Sequence, residues 1–115
     1  MKNLRNQVQL IGRLGADPEV NEFSTGKKAH MRIATSETYK NKSGEKVTDT
    51  QWHNVVAWNA SADYAKAYLN KGTEIMVVGK LVNRSYEDKS GTTRYITEVV
   101  ADQMTILQKK EEKAS

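Results

Sequence analysis

Thr50-Gln51-Trp52-His53-Asn54-Val55-Val56-Ala57-Trp58 holds both tryptophans of the chain, one of its two histidines and a Val-Val pair, without Gly or Pro. Aromatic and β-branched residues in that density read as a strand. Successive side chains of a strand point to opposite faces, so Trp52, Asn54, Val56 and Trp58 share one side and His53, Val55 and Ala57 the other. At about 3.3 Å per residue, the two indoles stand about 20 Å apart. Two rings at that spacing cannot sandwich one planar ligand. They could instead serve as separate platforms along an extended one, or both could be core. The strand itself leaves that choice open.

Outward from this stretch, the chain reads as strands on both sides. Residues 7–14 place Val8, Leu10, Gly12 and Leu14 on one face. Gly12 inside that run marks a bulge or a close backbone approach. Gly15-Ala16-Asp17-Pro18 is a turn, and residues 19–23 read as a short continuation. A second strand over residues 28–37 alternates Ala29, Met31, Ile33 and Thr35 against His30 and Arg32. Residues 39–46 form a polar hairpin tip before the tryptophan strand.

Residues 61–71 carry the single helical pattern. Ser61 is the expected cap, Ala62, Ala65, Tyr68 and Leu69 form an apolar stripe, and Asn70-Lys71-Gly72 is the stop. A fourth strand follows from Ile75 to Tyr86, a second polar hairpin over 87–93, and a fifth strand over 94–107. Residues 1–108 then make one domain, and 109–115 a short charged, disordered tail. Five strands with one helix between the third and fourth is the element order of an all-β OB-fold, a five-stranded Greek-key barrel.

The composition narrows function. There are 115 residues, 37% hydrophobic and 28% charged, with a net charge of +4 and no cysteine. No apolar run reaches membrane-span length, and the amino end lacks the apolar core of a secretory signal. A cytoplasmic location is the expectation. His30 and His53 are not spaced with carboxylates as metal ligands, and no phosphate-binding glycine loop or nucleophile elbow is present. No catalysis, metal or cofactor is expected. The basic balance suits a polyanionic partner.

Two short segments echo one another, Tyr39-x-x-Lys42-Ser43-Gly44 and Tyr86-x-x-Lys89-Ser90-Gly91. Each places a ring at the base of a hairpin and a cation near its tip. Lys40, Lys42, Lys46, Arg84, Lys89 and Arg94 surround those rings. Aromatic rings that stack bases, interleaved with cations that neutralise phosphates, are the chemistry of single-stranded nucleic-acid binding.

The sequence resembles the bacterial single-stranded DNA-binding protein (SSB) family. The matching stretches are Leu10-Ile11-Gly12-Arg13-Leu14-Gly15-Ala16-Asp17-Pro18-Glu19-Val20, Ala34-Thr35-Ser36-Glu37, Trp52-His53-Asn54-Val55-Val56, Tyr68-Leu69-Asn70-Lys71-Gly72 and Ser90-Gly91-Thr92-Thr93-Arg94-Tyr95 running on to Val100. The resemblance implies an OB-fold assembled as a homotetramer with single-stranded DNA wrapped around it, acting in replication, recombination and repair. It implies base stacking at Tyr39, Trp52, Trp58 and Tyr86; from the residues themselves, phosphate contacts are expected at Lys40, Lys42, Lys46, Lys71, Arg84, Lys89 and Arg94. His53 falls at a subunit contact in this comparison, and Tyr68 at a structural helix position. Such proteins belong to the bacterial cytoplasm and nucleoid, or are encoded by phages and mobile elements.

The sequence departs from the family pattern in two ways. Asn54, Ala60, Asn70 and Ser85 stand where the family often has a basic residue, which implies weaker or less salt-dependent binding. The family also continues into a Gly/Pro/Gln-rich linker and an acidic tip ending in Pro-Phe. This sequence reads to Ser115 after a mixed-charge segment, so tail-mediated recruitment of replication and repair proteins is not expected from it.

Overall fold

A computed structural model describes residues 4–109. The elements run β1 (Val8–Leu14), β2 (Glu19–Phe23), β3 (Gly26–Lys40), β4 (Lys46–Trp58), α1 (Ala60–Tyr68), β5 (Glu74–Glu87) and β6 (Thr93–Gln108). The strands lie in the order β1-β5-β6-β4-β3-β2, and β1 returns to pair with β3, closing a barrel. All pairings are antiparallel except a short parallel one, Val55 with Val99 and Val56 with Val100. The OB-fold expectation holds. Residues 19–23 are not a continuation of β1 but a separate strand, paired with the start of β3. The expected tail begins at Lys109, and residues 110–115 lie outside the described part of the chain.

Closure depends on two close backbone approaches. A Cβ at Gly12 would lie 2.2 Å from the Ala34 carbonyl oxygen, where β1 passes from β5 to β3, and one at Gly79 would lie 2.1 Å from the Val100 oxygen. Only glycine lets the strands cross at that range. The barrel interior is filled by Leu14, Ala29, Met31, Ile33, Val55, Ala57, Ile75, Val77 and Val99. Ala62 and Ala65 of α1 plug one end, joined by Leu69.

The helix differs from its sequence reading at both ends. Asn59, not Ser61, holds the amino-terminal cap position, and no side chain bonds to the first-turn amides. The chain leaves β4 so abruptly that Asn59 adopts φ 53°, and its side-chain oxygen accepts the Lys27 amide of β3 instead. At the other end α1 stops at Tyr68, and Leu69 turns extended to reach the core. Tyr68 is thereby left 59% exposed, its ring 5.1 Å from that of Tyr64, rather than belonging to the buried stripe.

Two long ribbons leave the barrel, the distal halves of β3–β4 and of β5–β6, and their tips share one geometry. At the first tip Asn41 Oδ1 accepts the amides of Ser43 and Glu45, and at the second Asp88 Oδ1 accepts those of Ser90 and Thr92. In both, the turn glycine is left-handed (φ 79° at Gly44 and 80° at Gly91) and its amide returns to the carbonyl of Asn41 or Asp88. The sequence echo is therefore a structural one.

Candidate nucleic-acid interface

The interface is built by sheet register. Across β3 and β4, Lys28 faces Trp58, His30 faces Val56, Arg32 faces Asn54 and Ala34 faces Trp52. Residues directly opposite share a face. The next strand across is β6, where Val100 pairs with Val56, and β5 follows with Lys80 opposite Val100, Val82 opposite Glu98, Arg84 opposite Ile96 and Tyr86 opposite Arg94. Trp52, Trp58, Tyr86, Lys28, Arg32, Lys40, Lys46, Lys80, Arg84 and Arg94 thus occupy one outer face of β3-β4-β6-β5. Trp52 is 50% exposed and Trp58 43%, so neither tryptophan is core. The buried positions of β4 are Val55, Val56 and Ala57.

Each indole carries a cation. Arg32 lies with its guanidinium carbon 5.0 Å from the Trp52 ring centroid, and the Lys28 ammonium lies 5.5 Å from the Trp58 ring centroid. These are cation–π distances. They also set a positive charge beside each surface on which a base would stack. The sequence reading did not select Lys28 or Arg32. Alternation sets Arg32 on the face opposite Met31 and Ile33, but only the register through the hairpin shows which ring each cation meets.

Trp52 is braced from behind. A Cβ on Gly15 would lie 2.4 Å from its ring, so the indole rests directly on the glycine backbone. Beside it opens a groove of about 230 Å³ lined by Trp52, His53, Asn54, Leu81, Thr97, Glu98 and Val99, leading from β4 towards the β5–β6 ribbon. Hydroxyl pairs Ser36–Thr50 and Thr38–Thr48, each at 3.2 Å, continue the same face towards Lys40 and Lys46.

The remaining expected residues are less uniform. Tyr39 is 53% exposed but pairs with Val47, on the reverse side of the β3–β4 ribbon from the tryptophans. Lys42 and Lys89 are exposed at the two tips. Lys71 lies after α1, where its backbone amide donates to Asp17 in the same loop as Gly15. Two of the arginines are already paired. Arg84 donates to Glu98 through Nε at 2.9 Å and Nη2 at 3.3 Å, and Arg94 Nε donates to Asp88 Oδ2 at 2.8 Å.

Those pairs fix charge states. The Arg84 hydrogen bonds hold the buried Glu98 carboxyl below its ordinary range despite desolvation, and Glu98 in turn raises Arg84. At the second tip Arg94, with Ser90 and the Thr92 amide, lowers Asp88 to about 2. His53 points to the other side of β4, where Nε2 meets Thr35 Oγ1 at 2.9 Å. Among the described residues no group of His, Cys, Asp or Glu could hold a metal ion, and no helix is long and apolar enough to cross a membrane.

A closed OB barrel with rings and cations in register on one outer face defines a class of nucleic-acid-binding modules. The comparison with known proteins narrows the class to a family. The profile of the single-strand binding protein family matches residues 5–107, and the chain belongs to that family, whose members are non-enzymatic DNA-binding proteins. It is 42% identical over 104 residues to the single-stranded DNA-binding protein 1 of Chlorobaculum tepidum, covering 89% of this chain and 64% of that protein's length. It is 40% identical over 109 residues to the protein of the same description from Xylella fastidiosa, covering 93% and 80%. Among solved structures, a Plasmodium falciparum SSB complex with ssDNA superposes with a TM-score of 0.82 at 29% identity, covering 94% of this chain and 98% of that one. A deletion mutant of the single-stranded DNA binding protein from Thermus aquaticus gives 0.77 at 26% identity, covering 90% and 50%.

Proposed function

We propose that this protein binds single-stranded DNA without sequence preference, protecting exposed strands and melting their secondary structure during replication, recombination and repair. The observation that carries the reading is the shared face of Trp52, Trp58 and Tyr86, with a cation set beside each tryptophan. Bases stack on the three rings, and Tyr39 takes a further base where the strand passes round the β3–β4 ribbon. Lys40, Lys42, Lys46, Lys71, Lys89 and Arg94 neutralise phosphates, joined by Lys28 and Arg32. Arg84 and Arg94 contribute less charge than the lysines because Glu98 and Asp88 already hold them.

The protein acts in the cytoplasm, with residues 1–108 as its binding domain. It assembles as a homotetramer, and two features support self-association. Ile11 is 48% exposed on β1 and Leu107 46% exposed on β6, apolar side chains outside the candidate interface. His53, oriented by Thr35, contributes to a contact between subunits.

The test is a titration followed by the fluorescence of Trp52 and Trp58. Quenching by oligo-dT that exceeds the response to oligo-rU of the same length and to duplex DNA is the expected result. An equal response to RNA would reassign the partner, and no response would end the nucleic-acid reading.

A further inference from the structure

We propose that Phe23 is an additional base-stacking platform, extending the interface beyond Trp58 on the β2–β3 hairpin, with Lys28 as the cation between the two rings. The inference rests on the single-stranded DNA reading above.

Phe23 is the last residue of a five-residue strand that contributes little to the core, and its ring is 54% exposed. The direction of that ring is fixed by its neighbours. Val20 pairs with Ala29 and packs on the core, and Glu22 pairs with Lys27 on the same inner side, making an ion pair at 3.8 Å. Alternation then sends Glu19, Asn21 and Phe23 to the outer face, the face of Lys28 and Trp58. Lys28 is opposite Trp58 on one side and Asn21 on the other. Two strand spacings and two residues along β2 put the Phe23 and Trp58 backbones about 12 Å apart. That is shorter than the separation of the two tryptophans along β4, so a strand reaching Trp58 has Phe23 within its next few nucleotides.

The hairpin is also tied in place by the residue that follows Trp58. Asn59 Oδ1 accepts the Lys27 amide at 3.2 Å, and the Asn59 amide donates to the Lys27 carbonyl at 2.9 Å. Gly26 leaves room for this amide, since a Cβ there would lie 2.4 Å from Asn59 Oδ1. Asn59 is the one non-glycine residue with positive φ among those described, a conformation with a backbone cost. A second tie runs from Lys27 Nζ to Asp63 of α1 at 2.8 Å. Asn59 is thus a positioning residue that holds Phe23 at a set distance from Trp58.

The experiment measures oligo-dT affinity of the full chain by tryptophan quenching, at several salt concentrations, for the natural protein and for Phe23→Ala, Phe23→Leu and Phe23→Tyr. An exposed ring can be removed without loss of the fold, which an unchanged melting temperature verifies. Phe23→Ala and Phe23→Leu should each weaken binding about tenfold with an unaltered salt slope, and Phe23→Tyr should bind as the natural protein does. Full affinity in Phe23→Ala or Phe23→Leu would overturn the proposal while leaving the parent reading standing. Failure of the natural protein to bind oligo-dT would remove both. Asn59→Gly supplies the second arm. It should weaken the natural protein but add little to Phe23→Ala, whereas additive losses would overturn the positioning role.

Discussion

Arg84 and Glu98 meet in the middle of the candidate interface, the carboxylate only 5% exposed beneath a guanidinium that is 46% exposed. The pair places a negative charge inside a face otherwise lined with cations. Glu98→Gln keeps an oxygen acceptor for Arg84 but releases its positive charge to the surface. Affinity for single-stranded DNA should rise, with the slope of log affinity against log salt steeper by about 0.7. An unchanged slope in a salt titration would show that Arg84 does not reach a phosphate.

The same pair sets an acid limit. Glu98 is held below its ordinary pKa of 4.5, so its contribution to stability is complete above that value and is lost as pH falls through the lower folded one. Stability of the natural protein should therefore decline below about pH 4.5, as measured by urea unfolding, and the decline should be shallower in Glu98→Gln.

At the ribbon tips, Asn41 and Asp88 perform one task with different charges. Asp88→Asn should preserve the turn, because Asn41 already shows that an amide oxygen suffices. It frees Arg94, so binding should tighten and the salt slope should steepen. In the natural protein the Ser90 and Thr92 amides should keep their protection down to the acid end, since the Asp88 carboxylate protonates only near pH 2. Loss of protection near pH 4, seen by NMR, would show that Arg94 does not hold the carboxylate.

Trp52 and Gly15 form a ring and its support. Trp52→Ala and Trp58→Ala should each cost about 1–3 kcal/mol of binding without unfolding the domain. Tyr39→Ala should cost less than either, because its ring lies on the reverse of the ribbon. Gly15→Ala should shift the Trp52 emission and weaken oligo-dT binding with little change in melting temperature. An unaffected affinity would mean that the indole's seat on Gly15 is immaterial.

His53→Ala should loosen the proposed tetramer at low concentration, as should Thr35→Val, which removes the hydroxyl orienting the ring. Sedimentation is the check, and an unchanged mass in both variants would remove His53 from the subunit contact.

Much of this was legible in the sequence, for identifiable reasons. Alternation around Trp52 and Trp58 separated a ring face from a core face, and Gly12 announced a close strand crossing. The twin Tyr-x-x-Lys-Ser-Gly segments announced twin turns. What stayed hidden depends on pairing between strands. Lys28 and Arg32 acquire their rings only through the β3–β4 register, and Tyr39 changes side through the same register. Arg84 and Arg94 looked like free cations because their partners, Glu98 and Asp88, are set by β-sheet and turn geometry. Ser61 looked like a helix cap because sequence cannot show that Asn59 turns left-handed to end β4.

If one outer face of β3-β4-β6-β5 carries the strand, photo-crosslinking will place the DNA there. An oligo-dT containing 5-iodo-deoxyuridine, irradiated on the intact protein, should give adducts that peptide mapping places on Trp52, Trp58 and Tyr86. Adducts confined to Tyr64 and Tyr68 on the helix, or to Tyr95 on the reverse of its ribbon, would put the DNA on a different surface and rule this face out.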